Sequence, residues 1–348
     1  MASTEERKTR MVLIGIDPHK ATHTAVAVDK KEAALGELTV RADRHQVERL
    51  LKWAIEFPDR LWAIESANGL GHLLAQQLLA AGEDVVDVPP TLAARVRVLG
   101  SGKSQKNDPN DALSTAIAAL RAPRLRSVAA EDHGAILRML GDHHHDLGSL
   151  RTQAICRLHA VILALVPGGT ANRLSADRAA AVLRRIKPTN VADAERRRIA
   201  LGFIADIRRL DAEIADSKAR IVRAVRASQT SVVEINGVGP IVAAFLIGHS
   251  GDMSRFKNRD HYASYNGTAP IEASSGPKSR HRLNPRGNRK LNHAIHVIAV
   301  AQIRHPTDGR RFFDRKVAEG KTNKEAIRAL KRHISNVVYT HLVIDSSR

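Results

Sequence analysis

A chain of 348 residues, 43% of them hydrophobic, is long enough for two or three domains with packed cores, which excludes a wholly disordered polymer. Lys and Arg number 55 against 36 for Asp and Glu, a formal net charge of +19, so a polyanion is the expected partner and its binding should weaken steeply with salt. A single cysteine, Cys156, excludes a disulfide framework and a cysteine-built zinc site, and is expected as buried packing. The N-terminal MASTEERKTRMVLIGID lacks a long apolar stretch, and no apolar run approaches the ~20 residues of a membrane span. A soluble, cytoplasmic protein with no membrane partner is expected.

In chain order, Met11–Asp17 reads as a buried strand, apolar and stopped by Pro18, with Thr24–Asp29 and Glu37–Arg41 as the next two strands of a meander. Arg44–Ile55 has helical spacing through Val47, Leu50, Leu51 and Ile55. Leu61–Glu65 is a fourth strand, Gly69–Ala81 a helix, Asp84–Val88 a strand closed by Pro89-Pro90, and Pro109–Leu120 a further helix. Three strands followed by alternating helix and strand predict an α/β domain with a mixed sheet in the ribonuclease-H manner, over residues 1–127. Residues 128–230 are predicted helical, with long helices over Ala135–Leu165 and Asp193–Ala227. In the second of these, Phe203, Ile207, Leu210, Ile214 and Ile221 fall at a/d spacing, interrupted by Ser217. That pattern fits a coiled coil with a second subunit, and it equally fits one face packed on its own domain.

Residues 231–348 form the predicted mainly α C-terminal part. Ile235-Asn236-Gly237-Val238-Gly239-Pro240 precedes an apolar helix, and its Gly-x-Gly would leave N–H groups at a helix N-terminus for a phosphate, although a plain connecting turn has the same signature. Helices are also expected over Asn288–Arg304 and Lys324–Leu342. Charge is segregated. Between Ala273 and Thr307 there is no acidic residue, while Lys278, Arg280, Arg282, Arg286, Arg289 and Lys290 all occur, and Arg95, Arg97, Lys103 and Lys106 form a second basic stretch. These side chains, with Gly237 and Gly239, are the candidate nucleic-acid contacts. Aromatic residues make up 3%, too few for base-stacking sheets, so contacts to backbone phosphates are expected to dominate.

Four acids stand out by placement: Asp17 and Glu65 end strands, and Asp108 and Asp111 open a helix at i, i+3 spacing. Adjacent strand ends in one sheet can bring the first two together, and four converging carboxylates suit Mg²⁺. Two such ions ~3.5–4 Å apart clamp both oxygens in phosphodiester cleavage. Three of the four have a plainer explanation alone, whereas an apolar strand leading directly into Glu65 invites a reason. Asp108 before Pro109 fits an N-cap with Pro at N1, Asp111 fits the helix dipole, and Asp17 before Pro18 fits a turn. Sugar kinases and actin-like ATPases also open with a strand and Asp, but they continue with Gly and Thr or Ser where this chain has Pro18-His19-Lys20. His143-His144-His145 cannot share one helix face and is expected as a solvated or RNA-facing patch.

The segments IGIDPHKATHTAVAVD, LWAIESANGLGHLLAQQLLAAGEDVVDVP and KSQKNDPNDA resemble the DEDD domain of transposases of the insertion-sequence one-ten (IS110) family. INGVGPIVAAFLIGHSGD, YASYNGTAPIEASSG and RGNRKLNHAIHVIA resemble that family's C-terminal transposase domain. The resemblance implies a RuvC-like N-terminal domain with Asp17, Glu65, Asp108 and Asp111 as its metal-binding acids. It implies a serine nucleophile in Ala273-Ser274-Ser275-Gly276, at Ser275 with Ser274 as the adjacent alternative, and a site shared between subunits of a dimer or tetramer. It further implies recombination of donor and target DNA guided by a structured RNA that the element encodes, in a bacterial, nucleoid-associated setting. One departure is Ser66-Ala67-Asn68-Gly69, where many members carry a shorter Gly-containing turn. A metal-dependent, structure-specific endonuclease acting by hydrolysis on Holliday-junction-like DNA, or a non-catalytic binding scaffold, would share much of this pattern.

Overall fold

The computed structural model describes residues 12–101, 107–170, 174–272, 281–282, 284 and 287–347. The chain divides into two compact units, one up to Glu131 and one from Asp132. The first contains β1 (Val12–Pro18), β2 (Thr22–Val28), β3 (Ala34–Arg41), α1 (Gln46–Ala54), β4 (Arg60–Glu65), α2 (His72–Ala80), β5 (Val85–Val88), α3 (Pro90–Ser101), α4 (Asp108–Arg121) and β6 (Arg126–Ser127). Its sheet runs β3-β2-β1-β4-β5-β6. The β1–β2 and β2–β3 pairs are antiparallel, β1–β4 and β4–β5 are parallel, and β6 returns antiparallel on β5. An antiparallel meander followed by parallel crossovers is the ribonuclease-H-like arrangement predicted from the order of elements.

The near-continuous apolar runs of β1 and β4 suit central strands covered on both faces. Ile14, Ile16, Trp62 and Ile64 face a core completed by Leu50 of α1 and Leu74 and Leu78 of α2. The alternate residues Leu13, Leu61 and Ala63 face a second core built with Ala112, Ala116 and Ala119 of α4 and Ala93 of α3. On this second face α4 lies very close to β1. A Cβ added to Gly15 would stand 2.2 Å from the Ala112 carbonyl oxygen and 2.5 Å from the Ala116 nitrogen. Both neighbours are backbone atoms, so only glycine there permits the approach.

The second unit contains α5 (His133–Leu163), α6 (Ala176–Arg185), α7 (Val191–Ala227), α8 (Pro240–Ser250), α9 (Arg259–Tyr265), β7 (Ile271–Glu272), β8 (His281–Arg282), α10 (Arg289–Arg304), α11 (Asp308–Ala318) and α12 (Asn323–Ser346). The long helices α5 and α7, 31 and 37 residues, run antiparallel: His133 bonds to the Ala224 carbonyl at one end of the pair, and Arg151 pairs with Asp211 further along. The a/d seam of α7 is consumed here, with Ile207, Leu210, Ser217 and Ile221 buried. Of the two explanations for that seam, packing on the helix's own unit accounts for the buried face, and Ser217 takes its place beside His144 Nδ1 at 3.3 Å. Apolar α8 is enclosed by α5, α10 and α12 in one core, and a Cβ on Gly248 would fall 2.5 Å from the Arg138 nitrogen of α5. Ladder β7–β8 pairs Ile271 with Arg282 and Glu272 with His281. Among the described residues no helix is long and apolar enough to cross a membrane.

Three expectations are corrected. Cys156 is exposed, because it sits two residues beyond buried Ala154, about 200° around the helix. The cap of α4 is Asn107, whose side chain accepts from the Asn110 N–H at 2.9 Å, so Asp108 is the first helical residue and is not needed to close the helix end. The histidine run is not uniformly solvated: His144 is half-buried against Ser217, and the ring of His145 stands edge-on to Phe245.

Gly15→Ala should cost about 2–3 kcal/mol or more, because α4 cannot yield without uncovering its alanine face. Urea denaturation of the full chain checks this, and a loss below about 1 kcal/mol would contradict the packing.

Candidate metal centre

Strand alternation selects which side chains share a face. Leu13, Gly15 and Asp17 point to one side of β1, and Leu61, Ala63 and Glu65 to the same side of β4, as the shared core shows. The parallel register pairs Ile16 with Ile64, so Asp17 and Glu65 are the next residues on neighbouring strands. Above that face lies the first turn of α4, carrying Asp108 and Asp111. The close approach at Gly15 therefore sets the height of two carboxylates above two others. Asp17 and Asp111 are buried, Glu65 is half-buried and Asp108 is exposed.

Supporting contacts fix the pieces. The Thr115 hydroxyl lies 2.9 Å from the Asp111 carbonyl oxygen and 3.5 Å from Glu65 Oε2. After Glu65 the chain turns through Ser66, which holds φ at 53°, in the left-handed region usually left to glycine. Asp87 of β5 pins this turn, accepting from the Ala67 N–H and from Asn68 Nδ2, both at 2.8 Å. The departure Ser66-Ala67-Asn68-Gly69 thus has its own tether.

Two further side chains join the acids. Arg97 of α3, expected among the nucleic-acid contacts, forms an ion pair with Asp111. His19, in the turn after β1, aims Nδ1 at Asp17 with 3.6 Å to Oδ2; this nitrogen is buried and makes no hydrogen bond among the described residues. Asp17, His19 and Asp108 each offer a donor atom within 4.8 Å of the others. Burial, and after it the charges of Asp17 and Asp111, hold the Glu65 carboxyl above the usual glutamate range. Carboxylates crowded in this way, beside an imidazole nitrogen that makes no hydrogen bond among the described residues, are a donor set suited to a divalent cation.

The remaining candidates fall elsewhere. Arg95 is exposed on α3. Gly239 caps α8 with open space around it, whereas Gly237 holds φ at 90° with its Cβ direction against Ala301 and Ile298 of α10, so a tight connecting turn alone requires it. Arg289 is exposed at the start of α10, and Lys290 is paired with Asp142. Arg282 is described only as backbone in β8. Ser274, Ser275, Lys278, Arg280, Arg286, Lys103 and Lys106 lie outside the described residues. Sequence reasoning missed His19 and the inward role of Arg97; a histidine two residues after a strand-end aspartate was the available signal for the first.

The sheet order defines a ribonuclease-H-like domain, with acids at the ends of β1 and β4 and in the first turn of α4. Residues 14–167 match the DEDD transposase domain of IS110, described as a transposase, and residues 230–314 match the transposase IS116/IS110/IS902 family; together these take in more than half of the chain. The chain belongs to the IS110/IS116 family of transposases. It is 26% identical to the 44.8 kDa protein of insertion element IS116 from Streptomyces clavuligerus, over 95% of this chain and 94% of that one. It is 28% identical to the 42 kDa protein of IS900 from Mycobacterium paratuberculosis, over 95% of each chain. Among solved structures, Thermus thermophilus RuvC in complex with a Holliday junction substrate matches at 17% identity and TM-score 0.27, covering 34% of this chain and all of that one. A match at that score adds nothing to what the strand order establishes.

The raised Glu65 carboxyl has a definite pH signature. Its proton is held more tightly in the folded than in the unfolded chain, so its contribution to stability is full below pH 4.5 and is lost as pH rises through the folded value. In chelator, Glu65→Gln should therefore raise the melting temperature at pH 7 and lose that advantage in acid. An unchanged difference across this range, followed by circular dichroism, would show that Glu65 is not strained by its neighbours.

Proposed function

We propose that this transposase cuts and rejoins donor and target DNA through a serine–phosphate intermediate, with Asp17, Glu65, Asp108 and Asp111 holding two Mg²⁺ ions. The observation that carries the reading is the cluster of Asp17, His19 and Asp108, with Glu65 near enough to feel the charges of Asp17 and Asp111, in a chain of transposase family. Divalent ions bound there supply Lewis-acid polarisation of a phosphodiester and stabilise its developing charge. Asp17 and Glu65 hold the centre from the rigid sheet, while Asp108 and Asp111 approach from a helix N-terminus whose dipole favours their negative charge. Arg97 balances Asp111 and keeps the first turn of α4 in place.

In the covalent step the Ser275 hydroxyl attacks the scissile phosphorus. A Ser Oγ–P bond forms, the P–O bond to one strand end breaks, and that end leaves as a hydroxyl carrying the proton that serine gives up. Attack by the hydroxyl of a second strand end reverses the step and restores the serine. Lys278, Arg280 and Arg282 neutralise the phosphate, and Arg95, Lys103, Lys106, Gly239, Arg286, Arg289 and Lys290 hold the strands. The family likeness further supports guidance by an element-encoded RNA and assembly as a dimer or tetramer. The acids by themselves would also suit hydrolysis, the second reading.

Incubating the full chain with nicked DNA and Mg²⁺ and resolving the products on denaturing gels separates the two. A protein–DNA adduct formed by the wild type and by Ser274→Ala, lost in Ser275→Ala, and abolished at least ~100-fold in Asp17→Asn is expected. Cleavage that persists in Ser275→Ala without an adduct would transfer the account to hydrolysis.

A further inference from the structure

The second unit contains a cavity of about 290 Å³ that neither the acids nor the serine segment explains. One wall is the face of α10 that carries Arg289, Asn292, His293 and His296, at i, i+3, i+4 and i+7. The opposite wall is backbone: Gly267, with φ at 73°, touches Gly287 so closely that a Cβ on the latter would lie 2.4 Å from the Gly267 Cα. At the bottom is Lys331 of α12, with 9% of its surface exposed.

Lys331 is a buried cation. Its ammonium donates to Asn292 Oδ1 at 2.6 Å, and no carboxylate lines the cavity among the described residues. The Asn292 amide is oriented for this contact, because its Nδ2 donates to the Asn266 carbonyl at 2.9 Å, and fully buried Asn266 is in turn held by Ser335 at 2.8 Å. Burial alone pulls the Lys331 amine down to about 8, and the charges of Lys331 and His293 bear on His296 in the same direction as its own burial. A buried amine is retained at this energetic disadvantage where an anion completes it. Arg289, His293 and His296 stand exposed at the rim, so the anion approaches from solvent.

We propose that this cavity seats one phosphodiester of a nucleic-acid strand, with Lys331 as the point charge at its base and Arg289 as the guanidinium at its mouth. A lysine at the bottom of a pocket and an arginine at its edge divide the work as their shapes require: the ammonium meets one oxygen, and the planar fork reaches two. The cavity's glycine wall comes from residues that precede and follow the segment containing Ser275, so a strand held here is held by the chain on both sides of that segment in sequence. The choice of a nucleic-acid strand as ligand rests on the transposase reading, while the anion preference rests on Lys331 and its surroundings.

Short labelled DNA and RNA strands of one sequence, titrated against the full chain in chelator at several salt concentrations, test this. Lys331→Met should weaken strand binding about tenfold, the effect of one charged hydrogen-bonded contact, and lower the salt slope by about one. Its melting temperature without ligand should equal or exceed that of the wild type, since a buried charge is removed. Arg289→Gln, at the rim and outside the core, should weaken binding in the same direction, and Lys331→Gln, whose amide can still donate to Asn292, replaces Lys331→Met should that variant fail to fold. A response with DNA, with RNA or with both supports the site and identifies its strand. Unchanged affinity and slope for both polymers in the folded variants, or protection by inorganic phosphate with no effect on either strand, overturns it. Strand exchange that survives Asp17→Asn would sink the recombinase reading while leaving this binding result standing.

Discussion

The contact of α4 with β1 at Gly15 governs the first unit. A helix that rests backbone to backbone on a central strand has almost no freedom to slide or lift, and both ends of that contact carry acids. From Gly15 to Asp17 is one repeat of the strand, and from Ala112 to Asp111 is one residue of the helix. Small side chains at Ala112, Ala116 and Ala119 are thus part of the centre as much as the carboxylates, because they set the distance between its two halves.

Gathering like charges opposes folding, and the molecule offsets only part of this. Arg97 covers Asp111, the first turn of α4 presents its positive end to Asp108 and Asp111, and part of the strain is left standing in Glu65, whose proton is held more tightly than usual. A divalent ion would relieve what remains, which links cation binding to stability by mass action. In the second unit the opposite imbalance occurs, with Lys331 buried among neutral and basic groups. The first unit thus crowds carboxylates, which suits a cation, and the second buries an ammonium away from any carboxylate among the described residues, which suits a phosphate.

Much of the first unit was legible because its strands are apolar runs with sharp ends. Pro18, Glu65 and the Pro89-Pro90 pair marked those ends, and the sheet follows from them. α3 was not legible because Pro90 served as a stop signal when it also begins a helix, where its missing N–H costs nothing. α9 and α11 are short and polar, and little periodicity can build in 7 or 11 residues. The acids were legible by position, since a carboxylate closing an apolar strand calls for a reason. His19 and Arg97 were not, because their contribution depends on a turn and on a helix crossing that spacing does not encode. The seam of α7 was legible as an apolar face, but its partner α5 was not, since antiparallel pairing within a chain and pairing between chains impose the same pattern.

The claim that the four acids share divalent ions is tested most directly by the anomalous scattering of Mn²⁺ in crystals of the full chain. The account expects an anomalous peak bounded by the carboxylates of Asp17, Glu65 and at least one of Asp108 and Asp111. Crystals saturated with Mn²⁺ that show no density among these residues would contradict it.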